Sequence, residues 1–476
     1  MTAQLRSAFR YIRRNVSFSL SLHELVLLAV LFGIYVAVAT LFNKYAPLPY
    51  MDEVFHIPQT QRYCSGDWWH WDPKITTFPG LYLLGFLQAR LVGLFLAGAA
   101  PGQSELQELA CSATALRATN VILALACVIL IRRIVSTLQP ALSDLAISLK
   151  ALVLTVYPLH FFYTFMFYTD VGSLMWILAS YLASLHKAPA SCAAAAAMAV
   201  LFRQTNAVWA TFILGSSVLG LVDKFGLIDD PVKILRKAFD RRSDILEHCG
   251  ALAMVPVLFA AFVLWNGSVV VGDKEAHQAT LHLMQLLYFP ACATAFLAPV
   301  HFGPRRVRRF TQLVASFFFS KPHYLRFSGA VAILAALPKF VDLFTVAHPY
   351  LLADNRHYTF YIWRKLLNAA PYARYLPLPV YLFSLWSLLD AMRDLKQKPW
   401  VLGYAAAVAL TLAPASLLEL RYFTVPFFFA ALHTDISECQ LVLILAMFVV
   451  INISTITVYL MYPFTWPDGS VARFMW

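Results

Sequence analysis

Long apolar runs separated by short polar segments recur along most of the chain. Many of these runs are about 20 residues long, which is the length that crosses a bilayer as an α-helix, whereas 189–201 and 422–433 are shorter. The first covers residues 22–42. The other predicted spans cover about 114–131, 145–163, 171–186, 189–201, 207–222, 250–271, 282–302, 327–346, 377–392, 400–418, 422–433 and 440–461. The pattern predicts an all-α polytopic membrane protein, one integral membrane domain over residues 1–476 with about 12–13 transmembrane helices.

The segment 79–98 is apolar enough to cross the membrane, but it also fits a helix that lies along the membrane surface. If it crosses, Arg132 and Arg133 fall on the side opposite the other basic groups, against the tendency of cytoplasmic loops to collect Lys and Arg. If it lies on the surface, the basic clusters share the cytoplasmic side. These clusters contain Arg6, Arg10, Arg13, Arg14, Arg132, Arg133, Lys187, Lys233 to Arg242, Arg305, Arg306, Arg308, Arg309, Arg393, Lys396 and Lys398. We therefore predict a surface helix.

This topology divides the polar segments between two sides. The first lumenal loop covers 43–111 and contains the surface helix, a basic cytoplasmic loop covers 223–249, and a second large lumenal loop covers 347–376. The cysteines show no CxxC and no metal-ligand spacing. Cys64 and Cys111 are the pair placed to meet in an oxidising lumen, but we do not expect a bridge between them.

Composition narrows the class of protein further. Of the 476 residues, 60% are hydrophobic and 13% are charged, about half the roughly 25% of charged residues in soluble domains. A soluble enzyme, a disordered scaffold, a coiled coil and a disulfide-stapled secreted module are excluded. The formal net charge of +12 follows from the basic cytoplasmic loops, so we expect a membrane-lipid environment and no nucleic-acid partner.

Carboxylates, arginines, histidines and aromatic residues collect on the side opposite the basic loops, in segments 49–80, 163–172, 202–206, 348–365 and 416–427. A carboxylate beside a low-dielectric wall has a raised pKa and serves as a general base. Arg and His that converge on one point hold a phosphate. The grouping indicates group transfer from a lipid phosphate to a hydroxyl. With no GxGxxG, no Walker sequence and no Asp-x-Asp pair, the sequence favours chemistry without cofactor or metal.

Several of these segments together resemble one enzyme family. They are YMDEVFHIPQTQRYC, WDPKITTFPGLYLL, YTDVGS, FRQTNAVW, HPYLLADNRHYTFYIWRK, LELRYFTVPF and the terminal RFMW. From about residue 47 to the C-terminus, the chain is similar to the dolichyl-phosphate-glucose-dependent α-1,2-glucosyltransferases of the endoplasmic reticulum. These enzymes add the last glucose to the lipid-linked oligosaccharide used for N-glycosylation. One departure is Leu420, where the family pattern has proline.

The resemblance implies a GT-C membrane fold and a multi-pass protein of the endoplasmic reticulum membrane with a lumenal active site. It also implies dolichyl phosphate β-D-glucose as the donor and dolichyl-diphosphate-linked oligosaccharide as the acceptor. The product is α-linked, so the configuration at C1 inverts. In such enzymes an acidic residue of the first lumenal loop accepts the acceptor proton, and Asp52 matches that position, with Glu53 as the second choice.

The other site roles are predicted for the same lumenal segments. The predicted acceptor-binding residues are Glu53, His56, Trp71 and Asp170. The predicted donor-phosphate ligands are Arg356 and His357, with Arg203 and Arg421 in reserve. Each has an alternative role: arginines near helix ends also extend to the membrane interface, tryptophans also anchor there, Asp170 fits a helix N-cap, and His56 fits a loop hydrogen bond.

Three other functions remain open at this stage. A transporter or flippase of lipid-linked sugar shares the spans and the basic flanks, but it places charges at mid-membrane on broken helices. A non-catalytic regulator of another membrane protein needs no ordered arrangement of acid and cations. A mannosyl-transferring relative would use the same base and phosphate ligands.

Overall fold

The computed structural model describes residues 20–96, 103–223, 230–274, 279–319, 324–393 and 395–476. The N-terminal arginines used in the topology argument, Arg6 to Arg14, lie outside these ranges.

The first half of the described chain is a succession of helices. They are α1 Leu22–Tyr45, α2 Glu53–Cys64, α3 Gly80–Leu96, α4 Gln103–Ala110, α5 Ala113–Leu138, α6 Asp144–Thr155, α7 Pro158–Tyr163, α8 Thr169–Leu185, α9 Pro189–Phe202, α10 Asn206–Val222, α11 Pro231–Asp240 and α12 Arg242–Asn266. The predicted first lumenal loop therefore contains α2, α3 and α4, and the predicted cytoplasmic loop 223–249 contains α11 and the first turns of α12.

The second half continues in the same way and ends in a short hairpin. Its helices are α13 Gln285–Phe296, α14 Ala298–His301, α15 Pro304–Phe319, α16 Tyr324–Phe344, α17 Pro349–Ala353, α18 Tyr358–Ile362, α19 Leu378–Arg393, α20 Lys398–Leu412, α21 Thr424–Leu432 and α22 Glu438–Met461. A π-helical turn covers Trp363–Leu367, and 3₁₀ turns cover Ala373–Tyr375 and Leu420–Phe423. The strands β1 Phe464–Thr465 and β2 Val471–Ala472 pair antiparallel. The chain is all-helical in class, as predicted.

Local sequence signals explain several helix ends. α1 begins after Ser21, whose side chain accepts from the Glu24 amide while the Glu24 carboxylate accepts from the Ser21 amide, a reciprocal capping box. The helix predicted at about 145–163 is interrupted, because it stops after Thr155 and resumes at Pro158. Proline disfavours helical backbone at the preceding residue, and Tyr157 accordingly has φ −51° and ψ 126°.

Helices long and apolar enough to cross a membrane recur in the part of the chain that the structure describes. Six helical segments there are long and apolar enough to cross a membrane. Five more apolar helices are shorter: Gly80–Phe95, Pro189–Phe202, Asn206–Val222, Lys398–Leu412 and Leu420–Leu432. The protein is therefore a multi-pass membrane protein, while the count of 12–13 spans, the surface position of α3 and the GT-C fold stay predictions.

The shortest of these apolar segments lies inside the protein. In α21, Phe427, Phe428 and Phe429 are fully buried. The Phe427 ring stacks on Tyr157 at 3.9 Å, and the Phe429 ring stacks on Trp209 at 4.9 Å. Burial of large aromatic rings contributes much of a helical core's stability. α21 therefore fixes the position of the 3₁₀ turn just before it, which carries Arg421.

A disulfide joins Cys64 at the end of α2 to Cys111 after α4. This corrects the expectation that the two cysteines stay unpaired. Sequence spacing alone does not bring them together. The packing of α2, α3 and α4 does, with the Gln107 side-chain amide donating to the Cys64 carbonyl (2.7 Å) and the Gln61 amide donating to the Cys111 carbonyl (3.1 Å).

Candidate active site

Asp52 directly precedes α2, and its side chain does not cap the helix. It occupies the N-cap position, yet its side chain makes no cap hydrogen bond. Its backbone amide donates to the Tyr168 hydroxyl at 3.0 Å. The preceding residue, Met51, has φ +54°, a left-handed backbone that a non-glycine residue adopts only when its surroundings hold it there. The turn thereby directs the carboxylate, which is 35% exposed, towards an open cleft.

Glu53 has a different role from the one predicted from the sequence. Its carboxylate is completely buried. One oxygen accepts from Arg117 Nε (2.8 Å) and the Phe167 amide (2.7 Å), and the other accepts from Arg117 Nη2 (2.6 Å) and the Tyr50 amide (3.2 Å). With its oxygens occupied in this way, Glu53 is a positioning residue for the turn that carries Asp52 and not a contact of the acceptor.

Arg117 is the residue at this centre that sequence reasoning missed. Besides Glu53, it donates to the Ala46 and Leu48 carbonyls (2.8 and 3.1 Å) and to the Asn43 side chain (3.2 Å). A buried charge requires such full compensation. Arg117 therefore joins the end of α1, the start of α2 and the start of α5. The signal available in the sequence is an arginine just inside a predicted span, where an unpaired cation is costly.

A cluster of acids and arginines lies beside Asp52. Arg421 Nη1 is 2.7 Å from Asp52 Oδ2 and 3.9 Å from Asp170 Oδ2, and its Nε bonds Glu419. Asp170 in turn pairs with Arg203. Three carboxylates thus share two guanidinium groups. Asp170 is inside the first turn of α8, whose N-cap is Tyr168, so the N-cap alternative for Asp170 is wrong.

Close helix packing brings the members of this cluster together. A methyl group at Gly172 in α8 would overlap the Phe202 ring at the end of α9. Only glycine permits the two helices to approach this closely. The contact holds Arg203, the residue directly after α9, next to Asp170.

A second group of charges comes from the segment between α17 and α18. Arg356 Nε and Nη2 bond the two Asp354 oxygens at 2.8 and 2.7 Å. The Arg356 guanidinium also lies over the Trp466 ring, 4.7 Å from its centroid, a geometry with a favourable cation–π interaction. The His357 Nε2 atom is 3.8 Å from Asp354. The bidentate pair and the ring hold the guanidinium in a defined orientation.

The two groups meet across one cleft. The cleft has a volume of about 370 Å³, within the range of small-molecule sites, and Asp52, Glu419, Arg356, His357 and Trp466 are among its lining residues. The structure therefore brings the predicted base and the predicted phosphate ligands Arg356 and His357 to a single site. Glu419 and Trp466 were not predicted for it, although Glu419 lies within a segment that carries the family resemblance.

Two of the other predicted acceptor contacts, His56 and Trp71, make contacts with Tyr82 instead of lining the cleft. His56 is buried, and its Nδ1 is 2.8 Å from the Tyr82 hydroxyl. The Trp71 ring packs edge-on against Tyr82, with its indole nitrogen donating to the Ile75 carbonyl at 3.4 Å. Neither residue is among those that line the cleft. The hydrogen bond of His56 joins α2 to α3 and is not the loop hydrogen bond given as its alternative.

The pKa of Asp52 also differs from the raised value that the sequence predicts. Loss of solvent by itself raises the pKa of Asp52, but the Arg421 guanidinium and, less strongly, His56 lower it, and the resulting pKa is about 2. Burial lowers the pKa of His56 to about 4. Burial raises the pKa of Asp354, but hydrogen bonds from Arg356 lower it below its ordinary value. Asp52 is therefore an ion-paired carboxylate and not the raised-pKa acid that we predicted.

The described ranges contain no cluster of side chains suited to binding a metal ion. No group of three or more His, Cys, Asp or Glu side chains there is placed to hold a metal ion. The acids beside Asp52 are instead paired with arginines. Chemistry without a metal stays a prediction.

The fold and the site together define a class: a polytopic helical membrane protein with a carboxylate and paired cations at one cleft. Residues 46–432 match the DIE2/ALG10 family, and the chain belongs to that family. A protein of Arabidopsis thaliana is 35% identical, with 93% of this chain and 97% of the relative covered. A Homo sapiens protein is 32% identical, covering 91% and 94%.

The names of these relatives are informative about chemistry. Both are named Dol-P-Glc:Glc(2)Man(9)GlcNAc(2)-PP-Dol alpha-1,2-glucosyltransferase, as is a Yarrowia lipolytica protein that is 29% identical over 91% of this chain and 94% of its own length. No solved structure matches the chain.

Proposed function

We propose that this protein is an inverting α-1,2-glucosyltransferase. It moves glucose from dolichyl phosphate β-D-glucose to the 2-hydroxyl of the terminal glucose on the diglucosylated dolichyl-diphosphate oligosaccharide, in N-glycan precursor assembly. One observation carries the residue assignment: Asp52 and the Arg356–His357 pair line the same cleft. The glucose specificity rests on the family membership and on the names of the relatives.

In the proposed reaction, Asp52 accepts the proton of the acceptor hydroxyl. The hydroxyl oxygen forms a bond to C1 of the donor glucose, and the bond from C1 to the phosphate oxygen breaks on the opposite face. Its electron pair remains on dolichyl phosphate. Attack opposite to the leaving group converts the β-linked donor into an α-linked product. General-base assistance of this kind contributes about 10²–10⁴-fold in rate.

Arg356 and His357 are the proposed ligands of the donor phosphate. Charge on that phosphate increases as the C1–O bond breaks, and fixed cations stabilise it more in the transition state than in the ground state. The Arg356 guanidinium is already oriented by Asp354 and Trp466, so little reorganisation is needed when the donor binds.

Arg421 connects the two halves of this reaction. Its charge is shared among Asp52, Glu419 and Asp170. Arg421 is not among the residues that line the cleft, but two of its carboxylate partners, Asp52 and Glu419, are. A phosphate bound beside these two carboxylates would compete with them for the Arg421 guanidinium. As Arg421 turns towards the phosphate, its hold on Asp52 weakens and the carboxylate becomes more basic. Arrival of the donor thereby prepares the base, while Asp170, which is itself paired with Arg203, keeps a second carboxylate 3.9 Å from Arg421.

We further propose that the cleft faces the lumen of the endoplasmic reticulum. The turn that carries Asp52 is continuous with α2, and α2 ends at the Cys64–Cys111 disulfide. Disulfides persist in oxidising compartments such as this lumen. The basic clusters assigned to the cytoplasmic side support the same orientation.

A transfer assay tests the proposal. Purified protein receives dolichyl phosphate glucose and the diglucosylated lipid-linked acceptor, with and without EDTA. We expect glucose transfer in both conditions. Loss of transfer only with EDTA would overturn chemistry without a metal, and absence of transfer by folded protein would favour the transporter or regulator functions. Dolichyl phosphate mannose as a competing donor tests the mannosyl alternative.

The base assignment is tested by a matched pair of variants. Asp52→Asn keeps the size of the side chain but cannot accept the proton, so we expect transfer to fall by about 10²-fold or more. The control is Asp67→Asn in the same loop, where the carboxylate is 45% exposed and pairs with Arg62. Normal transfer by Asp52→Asn would contradict the assignment, and an equal loss in the control would show a general effect of the loop.

A further inference from the structure

The segment 473–476, which we call the C-terminal strap, passes between the two sides of the cleft. At one end it bonds the residue two positions before Asp52, and at the other it bonds the backbone around Arg356 and His357. These two sides of the cleft are more than 300 residues apart in sequence, and the strap reaches both within four residues.

On the side of the base, the strap holds the Tyr50 hydroxyl through both of its hydrogen-bonding functions. The Arg473 amide donates to this hydroxyl at 2.7 Å, and the hydroxyl donates to the Arg473 carbonyl at 2.9 Å. Only Met51, with its left-handed backbone, separates Tyr50 from Asp52. A displacement of Tyr50 is therefore passed directly to the turn that directs the carboxylate.

On the side of the cations, the strap pairs with the chain as a short parallel bridge. The Met475 amide donates to the Arg356 carbonyl at 2.9 Å, and the Tyr358 amide donates to the Met475 carbonyl at 3.2 Å. The Trp476 main-chain oxygen accepts from His357 Nδ1 at 2.9 Å. This bond holds the ring plane of His357 and leaves Nε2 directed away from the strap.

The strap itself is anchored to the ends of membrane helices. The Arg473 guanidinium donates to the Tyr459 and Leu460 carbonyls in the last turn of α22 (2.8 and 3.1 Å) and to the Tyr45 carbonyl at the end of α1 (2.6 Å). The last carbonyls of a helix lack partners within the helix, so a cation satisfies them well. The strap is thus tied to the helix framework and is not a loose tail.

We propose that the C-terminal strap is a positioning element that sets the separation between the base Asp52 and the phosphate ligands Arg356 and His357. The proposal rests on the function proposed above. In group transfer, the base, the acceptor oxygen, C1 and the phosphate must line up, and a misplacement of about 1 Å costs about 10²-fold in rate. The residues of the strap touch no substrate; they act through Tyr50 and through the 356–358 backbone.

The end of the strap at the base is tested with Tyr50→Phe, which keeps the ring and removes the hydroxyl. We expect kcat of glucose transfer to fall about tenfold, because the turn that carries Asp52 loses its tether, with a smaller change in donor KM. The matched control is Tyr459→Phe. Tyr459 is a neighbouring buried tyrosine, its ring centroid 5.8 Å from that of Tyr50, and its hydroxyl has no hydrogen-bond partner among the described residues. The control should transfer glucose as the wild type does.

The end at the cations is tested with Met475→Pro against Met475→Leu. Proline removes the amide that donates to Arg356, whereas leucine keeps this amide and fills the buried site. We expect Met475→Pro to raise donor KM about tenfold, equivalent to about 1.4 kcal/mol in binding, and Met475→Leu to stay near the wild type. The two substitutions should therefore affect different constants: Tyr50→Phe mainly lowers kcat, and Met475→Pro mainly raises donor KM.

Both kinetic constants are measured per folded molecule, with the folded fraction taken from thermal unfolding of each variant. If Tyr50→Phe and Met475→Pro lower only the amount of folded protein and leave kcat and KM unchanged, the strap is merely structural and the inference is overturned. If Met475→Pro does not fold, Tyr50→Phe and its control decide alone. Failure of the wild type to transfer glucose would instead count against the proposed function.

Discussion

Arg421 and Asp52 form an ion pair across 369 residues of sequence, with Nη1 2.7 Å from Oδ2. The contact determines the resting state of the proposed base, because it keeps the carboxylate ionised and oriented while lowering its basicity. It also makes the function of Asp52 depend on a residue carried by a different part of the fold.

Replacing Arg421 should therefore alter the pH dependence of transfer. With its pKa near 2, Asp52 stays ionised down to well below pH 5, so in the wild type its protonation produces no acid limb in kcat/KM above about pH 4. Arg421→Gln removes the cation while the loss of solvent remains, which raises the pKa of Asp52. We expect an acid limb at higher pH and a rate lower by about 10²-fold, measured as initial rates across pH.

Two further variants check this prediction. Arg421→Lys keeps the positive charge, so its acid limb should lie closer to that of the wild type. Arg62→Gln removes a 47%-exposed arginine of the first loop and should leave the profile unchanged. An Arg421→Gln profile with the wild-type acid limb would contradict the role of the pair.

Breaking the buried pair of Glu53 and Arg117 should destabilise the protein. Arg117→Met leaves the Glu53 carboxylate fully buried without its cation, and loss of one partner of such a pair typically costs about 3–5 kcal/mol. Thermal unfolding in lipid nanodiscs should show a large drop in Tm.

A second substitution tests the physical reason for that drop. Adding Glu53→Leu to Arg117→Met removes the uncompensated charge, so the double variant should recover part of the stability. Arg62→Met breaks the exposed pair with Asp67 and should cost less than about 1 kcal/mol. A double variant that is less stable than Arg117→Met would argue against charge burial as the cause.

The ring of Trp466 should contribute to donor binding through Arg356. Trp466→Ala removes the aromatic face 4.7 Å from the guanidinium, and an exposed cation–π contact contributes about 0.5–1 kcal/mol. Donor KM should rise about two- to fivefold in Trp466→Ala. Trp466→Phe keeps a ring, so its donor KM should lie between those of the wild type and Trp466→Ala. Trp69→Ala, at a residue that is 98% exposed, is the control. Equal donor KM values for all of these proteins would refute the contact.

The disulfide should stabilise the first loop. Cys64→Ser combined with Cys111→Ser opens a loop closed by a bond between residues 47 apart, and removal of such a crosslink costs about 2–4 kcal/mol. A reductant should lower the Tm of the wild type but not of this variant. Cys439→Ser, at an exposed free cysteine, should behave as the wild type in both conditions. A reductant that leaves the wild-type Tm unchanged would show that the bond contributes nothing.

The helical class and the grouping of the polar segments could be predicted from the pattern of hydrophobic and charged residues along the sequence. Apolar runs set by the thickness of a bilayer predict the helical class, and the segregation of charges to opposite sides placed Asp52, Arg356 and His357 on the same side. The structure then brings these residues to one cleft. Membrane side could be predicted from the sequence because each segment carries its own hydrophobic pattern and charge, whereas the roles of the three residues stay a prediction.

Pairings between distant residues were decided by the tertiary structure alone. Whether Glu53 or Asp52 faces the cleft, which cation lowers the pKa of Asp52, and whether Cys64 meets Cys111 all depend on how helices pack after insertion. The bonds of the C-terminal strap to Tyr50 and Arg356 belong to the same class. A side chain's neighbours are set by short-range contacts between elements far apart in the chain, and no local pattern of hydrophobic and polar residues encodes them.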